Sequence, residues 1–210
     1  MKRLFVTPLL ALLCIPLGAQ AQSQDSQYRG PGYSNSHYSS LSYTLGEVRL
    51  LAQDPDGGDD ADGVRLGGSA LVSPDLFVAG ALSTLGSDSP NGLDTDIFEL
   101  GLGYRYGYTP RIDFVGIGGI VRVDRDFGGR ADDDDWGPSL TGGVRAIVAP
   151  LLEVGGFVNY TELFGDGDLG LIGEGLYHLT PNLAFLGGLG VSDDDRSINL
   201  GARWNFTPTR

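Results

Sequence analysis

Asp96-Ile97-Phe98-Glu99-Leu100-Gly101-Leu102-Gly103-Tyr104-Arg105-Tyr106-Gly107-Tyr108 decides how the rest of the chain is read. Phe98, Leu100, Leu102, Tyr104, Tyr106 and Tyr108 share one parity, and Glu99, Gly101, Gly103, Arg105 and Gly107 share the other. Only a two-residue period sorts side chains in this way, so the segment is a β-strand with one apolar and one polar face. The last segment repeats the pattern, with Ile198, Leu200, Ala202, Trp204 and Phe206 set against Ser197, Asn199, Gly201, Arg203 and Asn205. Looser versions occupy residues 38–52, 64–73, 76–86, 111–124, 138–148, 151–164, 168–179 and 182–192, which makes ten expected strands. Segments 38–52 and 111–124 change phase midway, and eight strands is therefore the alternative count.

Two kinds of connection alternate between these segments. The short ones are built on Pro74, Pro110, Pro150 and Pro181, each a tight turn in which proline presets φ and cannot enter a paired strand. The others are longer and acidic, near residues 53–63, 87–95, 125–137, 165–167 and 193–196. Most of the Asp residues lie in or beside these loops, whereas Glu47, Glu99, Glu153, Glu162 and Glu174 all lie inside strands. Two acids of similar chemistry are thus separated by position, as expected if the two ends of the molecule face different media.

Composition excludes several classes. The chain has 210 residues, enough for one domain, and its 34 Gly follow no Gly-x-y period, so it is not collagen-like. Aromatics at 10% and hydrophobic residues at 41% argue against a disordered chain. With 14 basic against 27 acidic residues, the surface would repel a nucleic-acid backbone. Lys2 and Arg3, the apolar run from Leu4 to Leu17, and Ala19-Gln20-Ala21 read as a secretory signal over residues 1–21. Pro8 and Pro16 interrupt a run already too short to span a bilayer. The only Cys, Cys14, leaves with that signal; Ala11 and Leu13 before it do not suit a lipid-modification site. The mature chain is then free of thiols and must hold itself together by backbone pairing and packing. Residues 22–37 read as a flexible tail, 38–206 as the folded domain and 207–210 as a C-terminal extension.

Strands of about 11 residues match the length that crosses hydrocarbon at a tilt, longer than those of an ordinary soluble sheet. Short turns at one end and long polar loops at the other are the asymmetry of a bacterial outer-membrane barrel. Tyr104, Tyr106, Tyr108, Tyr160, Tyr177, Trp204 and Phe206 fall near strand ends, where rings sit at a bilayer interface. The expected fold is therefore all-β, a closed antiparallel up-and-down transmembrane barrel. Charged residues with the parity of Gly, Ser, Thr and Asn must point into its lumen, because a basic group facing the midplane of the lipid costs about 2 to 4 kcal/mol. Glu47, Arg49, Arg65, Glu99, Arg105, Arg145, Glu153, Glu174, His178 and Arg203 form this set. The five Arg are expected to pair with the four Glu as a polar plug, since the planar guanidinium can bond two carboxylates.

On these residues the chain resembles the small proteobacterial outer-membrane β-barrels, similar to the transmembrane domain of OmpA and to OmpX-like proteins, over about residues 38–206. The most specific piece is Asn199-Leu200-Gly201-Ala202-Arg203-Trp204-Asn205-Phe206, which resembles the family's polar-x-Gly-x-x-aromatic-x-aromatic assembly signal. The resemblance implies that Asn199, Gly201, Trp204 and Phe206 are read by the barrel-assembly machinery. The family usually ends on the final Phe, and here Thr207 to Arg210 follow.

The expected role is structural or interactive at the Gram-negative cell surface, with a narrow diffusion channel for small solutes as the runner-up. A barrel hydrolase ranks lower. Only His37 and His178 are available as bases, and one His without Cys is a poor metal site, so neither an enzyme nor a cofactor is expected. Asp54, Asp56, Asp59, Asp132, Asp133, Asp134 and Asp135 offer hard oxygen ligands for Ca²⁺ or Mg²⁺, or for divalent bridging to lipopolysaccharide phosphates. Their spacing does not follow the EF-hand order, and a solvated acidic rim is the simpler reading. The expected partners are outer-membrane lipid, lipopolysaccharide and the assembly machinery.

Overall fold

The computed structural model describes residues 39–55, 60–87, 94–126, 133–193 and 195–206. The proposed signal (1–21), tail (22–37) and extension (207–210) lie outside them. Ten antiparallel strands follow in chain order: β1 (Leu45–Pro55), β2 (Ala61–Leu71), β3 (Leu76–Ser87), β4 (Asp94–Thr109), β5 (Ile112–Asp126), β6 (Asp133–Ala149), β7 (Leu152–Leu163), β8 (Asp166–His178), β9 (Leu183–Val191) and β10 (Asp195–Asn205). Each pairs with its sequence neighbours, and β1 pairs with β10 from Leu45–Asn205 to Pro55–Asp195, closing the barrel. Closure leaves no sheet edge, the condition for carrying backbone amides through hydrocarbon. No helix among the described residues is long and apolar enough to cross a membrane.

The proline turns share a construction. In Ser73-Pro74-Asp75 and Thr180-Pro181-Asn182 the hydroxyl before proline accepts the amide three residues on, from Leu76 at 3.1 Å and from Leu183 at 3.0 Å. In both, the flanking amides donate to the carbonyl of the first strand residue. At the opposite end β7 and β8 are joined by Phe164 and Gly165, both with positive φ, as a two-residue hairpin with primed twist requires.

β4, β5 and β6, at 16, 15 and 17 residues, run further into the acidic end than the periodicity suggests. Apolar alternation marks only the part in contact with lipid, whereas ladder hydrogen bonds are indifferent to side-chain polarity. Their outward faces record the change of medium row by row. Leu100, Ile120 and Pro138 lie abreast; the next row is Phe98, Arg122 and Trp136; the next is Asp96, Asp124 and Asp134. Arg122 lies 5.5 Å from the Trp136 ring centroid and 3.5 Å from both Asp124 and Asp134, linking the aromatic row to the acidic one. Near the turns, Tyr104, Tyr106, Tyr108, Phe114, Tyr177, Phe185, Trp204 and Phe206 are exposed outward, forming the second aromatic level.

Two expectations on phase are corrected. Residues 39–44 are not strand: β1 starts at Leu45, and the chain before it folds inside the barrel. β5 keeps one phase throughout, with Val115, Ile117, Val121 and Val123 turned inward, so the lumen wall is locally apolar and the apparent shift was a change of composition.

Candidate functional site

The lumen is the candidate site, and its turn-side half is filled by two different constructions. On the wall formed by β6, β7, β8, β10 and β1, charged side chains meet in a continuous network. Arg145 donates to Glu153 Oε1 from Nε at 2.8 Å and from Nη2 at 2.6 Å. His178 Nε2 lies 3.3 Å from Glu153 Oε2. Arg203 donates to Glu47 Oε2 at 2.8 Å and lies 3.5 Å from Glu174 Oε1 and 3.9 Å from Glu153 Oε1. Arg49 closes the chain by bonding Glu47 Oε1 at 2.8 Å and Glu174 Oε2 at 3.1 Å. The Arg203 and Arg49 guanidiniums each meet carboxylates from two strands, which is the use their planar fork suits. Removed from bulk water, these charges persist because each has an opposite charge and a hydrogen bond.

On the β2–β5 wall the filling is the chain itself. Leu41 and Tyr43 are buried against Phe77 and Val115, with Leu71, Ala79, Ile117 and Ile147 around them. The Tyr43 ring stands 5.0 Å from that of Phe77, and the guanidiniums of Arg105 and Arg145 lie 5.0 and 4.6 Å from its centroid. Its hydroxyl donates to Asp113 Oδ2 at 2.9 Å, and burial pushes the phenol above its ordinary pKa, so it stays a donor. Ser69 Oγ donates to the Tyr43 carbonyl, Arg145 to that of Ser42 and Arg105 to that of Leu41. Gly103 makes room for this packing: a Cβ there would stand 2.2 Å from the Phe77 ring.

All ten residues expected in the lumen face it; eight of them take part in Arg–Glu ion pairs, and His178 lies within hydrogen-bond reach of Glu153. Arg65 and Glu99 form a separate bidentate pair across β3, at 2.8 and 2.6 Å. Arg105 is the correction. It binds the Pro74 and Leu41 carbonyls and the Tyr43 ring rather than a carboxylate, because the N-terminal segment occupies the space between it and the glutamates. Sequence reasoning missed Tyr43, Asp113 and Phe77. A signal existed: Leu41 and Tyr43 share parity with Glu47 and Arg49, and Asp113 stands in a strand beside a proline turn, away from every acidic loop.

Above these fillings a cavity of about 460 Å³ extends from Tyr43, Phe77, Arg145 and Arg203 to Gln53, Thr161 and Ser197 near the loop end. Its upper wall carries neutral groups, among them Ser139, Thr141, Asn159 and Asn199. Leu41, Asp113, Glu153 and His178 lie outside its lining and are almost fully buried.

Among the described residues, the acidic candidates do not gather around one point. Asp54 is opposite Arg196 on β10. Asp133, Asp134 and Asp135 belong to β6, where alternation sends neighbours to opposite faces: Asp134 meets Arg122 outside and Asp135 accepts the Phe164 amide. Asp56, Asp59 and Asp132 lie outside the described residues, among which no three His, Cys, Asp or Glu side chains gather to hold a metal.

Of the residues expected to form the assembly signal, Asn199 is buried in the lumen while Trp204 and Phe206 are exposed on the outer wall. A closed ten-stranded barrel, greasy outside and charged within, belongs to the class of transmembrane β-barrels. Residues 7–206 match the outer membrane protein beta-barrel domain family, and the chain belongs to that family. This places it in the outer membrane of a Gram-negative cell. No curated protein matches the sequence at a significant level. Among solved structures the fold is similar to the NanC porin, at 10% identity and a TM-score of 0.53 over 77% of this chain and 100% of that one. The KdgM porin in complex with disordered oligogalacturonate aligns at 12% identity and 0.44, over 77% and 99%. The N-terminal β-barrel domain of Pseudomonas aeruginosa OprF aligns at 12% and 0.41, over 79% and 100%. The family model describes an outer-membrane barrel domain, and the NanC neighbour is a porin.

Proposed function

We propose that the protein is a non-conducting outer-membrane barrel, a membrane-anchored cup that presents an acidic rim to interaction partners at the cell surface. The observation that supports closure is the packed turn-side half of the lumen, where Asp113 is 0% exposed, Tyr43 and Glu153 2%, and Arg203 5%. A hydrated solute path needs space on at least one side of such groups. The β4–β6 wall supports the surface role, because it lifts Asp94, Asp96, Asp124, Asp126 and Asp134 beyond the apolar rows. Outer-membrane lipid and lipopolysaccharide surround the belt in this reading, and the assembly machinery reads β10 during biogenesis.

Planar-bilayer recording of the refolded protein tests the proposal. No steady single-channel conductance is expected. A sustained, uniform conductance would instead favour a narrow diffusion channel for small solutes, a reading supported by the cavity of about 460 Å³ above Tyr43.

A further inference from the structure

We infer that residues 39–43 are a displaceable stopper, and that their withdrawal toward the turn end converts the closed barrel into a conducting one. The inference rests on the closed-lumen reading and adds to it which part of the filling moves.

Three features separate this segment from the ion-pair network on the opposite wall. The first is connectivity. β1 pairs with both β10 and β2 from Leu45 onward, and Thr44 is tied to both neighbours, its carbonyl accepting the Phe206 amide at 2.9 Å and its Oγ1 the Leu71 amide at 3.3 Å, so Thr44 is the hinge and taking out the residues before it breaks no strand ladder. The glutamates and arginines of the network are rooted in strands and cannot leave. The second is position. The segment runs from the floor of the cavity, where Tyr43 forms part of the lining, to the turn-end rim, where the Ser40 amide donates to the Pro110 carbonyl of the β4–β5 turn. Its removal therefore extends the existing cavity along the β2–β5 wall to the rim.

The third feature is electrostatic. When the segment leaves, Arg145 keeps both hydrogen bonds to Glu153, and Arg105 keeps its bond to the Pro74 carbonyl at 2.8 Å. Asp113 loses the Tyr43 hydroxyl, but water enters the same space and solvates it. Neither guanidinium is left buried without a partner, the usual reason that such a contact cannot open. What holds the stopper is the apolar contact of Leu41 and Tyr43 with Phe77 and Val115, the two guanidiniums against the Tyr43 ring, and hydrogen bonds at Ser40, Leu41, Ser42 and Tyr43 that water can replace once the segment moves. Such a contact can be displaced without unfolding the barrel.

The test records conductance of the whole protein and of the Leu41→Ala/Tyr43→Ala variant in planar bilayers, with heat-modifiable gel migration reporting the folded barrel. We expect the wild type to be closed with brief openings, and the variant's conducting fraction to rise about tenfold or more. A folded variant as silent as the wild type overturns the stopper while leaving the closed-lumen reading intact. Steady conductance by the wild type overturns both. A second measurement does not depend on that variant. Cys14 is the only cysteine, so in a Ser42→Cys chain expressed with Cys14→Ser a membrane-impermeant maleimide reads one buried position. Slow but complete labelling of the folded protein is expected. No labelling over hours, while the urea-unfolded chain reacts at once, would mean that the segment does not leave.

Discussion

On the β6–β1 side of the lumen the space is filled by side chains that grow from the strands themselves, and on the β2–β5 side by a segment of chain that enters from outside the sheet. The first filling is polar and cooperative, since Glu47, Glu153 and Glu174 each serve two arginines, and removing one group exposes several others. The second joins the apolar contact of Leu41 and Tyr43 with Phe77 and Val115 to separate, individual hydrogen bonds, among them the buried one from Tyr43 to Asp113. The difference teaches where each kind of closure is useful. A charge network tolerates no vacancy, so it suits a permanent wall, whereas an aromatic in a slot can leave and return.

Four substitutions probe that contrast, beginning with the largest effect. Glu153→Ala leaves Arg145, Arg203 and His178 without their shared carboxylate, and should cost about 3–5 kcal/mol in urea unfolding of the vesicle-inserted barrel. A loss no larger than that of a surface residue would show that the network does not act as a unit. Leu50→Arg asks whether the inside and outside of one strand are different solvents. Arg49 is accommodated in the lumen, but Leu50, 64% exposed on the outer wall near the middle of β1, should cost about 2–4 kcal/mol as Arg. Equal tolerance at both positions would mean that the outer face is not in lipid. Gly103→Val pushes on the Phe77 ring and through it on Tyr43, with an expected loss of about 1–3 kcal/mol. The loss should be accompanied by faster maleimide labelling at position 42; destabilisation without that acceleration would uncouple Gly103 from the stopper. Arg122→Ala serves as the exterior control. Its ion pairs are about half exposed, so the change should be about 0–1 kcal/mol and should vanish at high salt.

The strand faces were legible because their period is local. Phe98 to Tyr108 and Ile198 to Phe206 declare inside and outside by parity alone, and that parity placed all ten charged residues in the lumen. Who pairs with whom was not legible, because it depends on shear. Arg49 and Glu174 stand on β1 and β8, 125 residues apart, and meet only after the sheet closes with its stagger. Arg105 failed as an ion-pair residue for the same reason: its neighbour in space, Tyr43, comes from a segment whose sequence looked like the start of a strand.

The alternation of side chains, the proline turns and the separation of Asp from Glu therefore determined the all-β barrel, its two ends and the contents of its interior, since each depends only on residues a few positions apart. The tertiary structure decided the pairing of the charges and the inward path of residues 39–44. Both depend on which strands face each other across the lumen, a relation set by closure and absent from any local stretch of the chain.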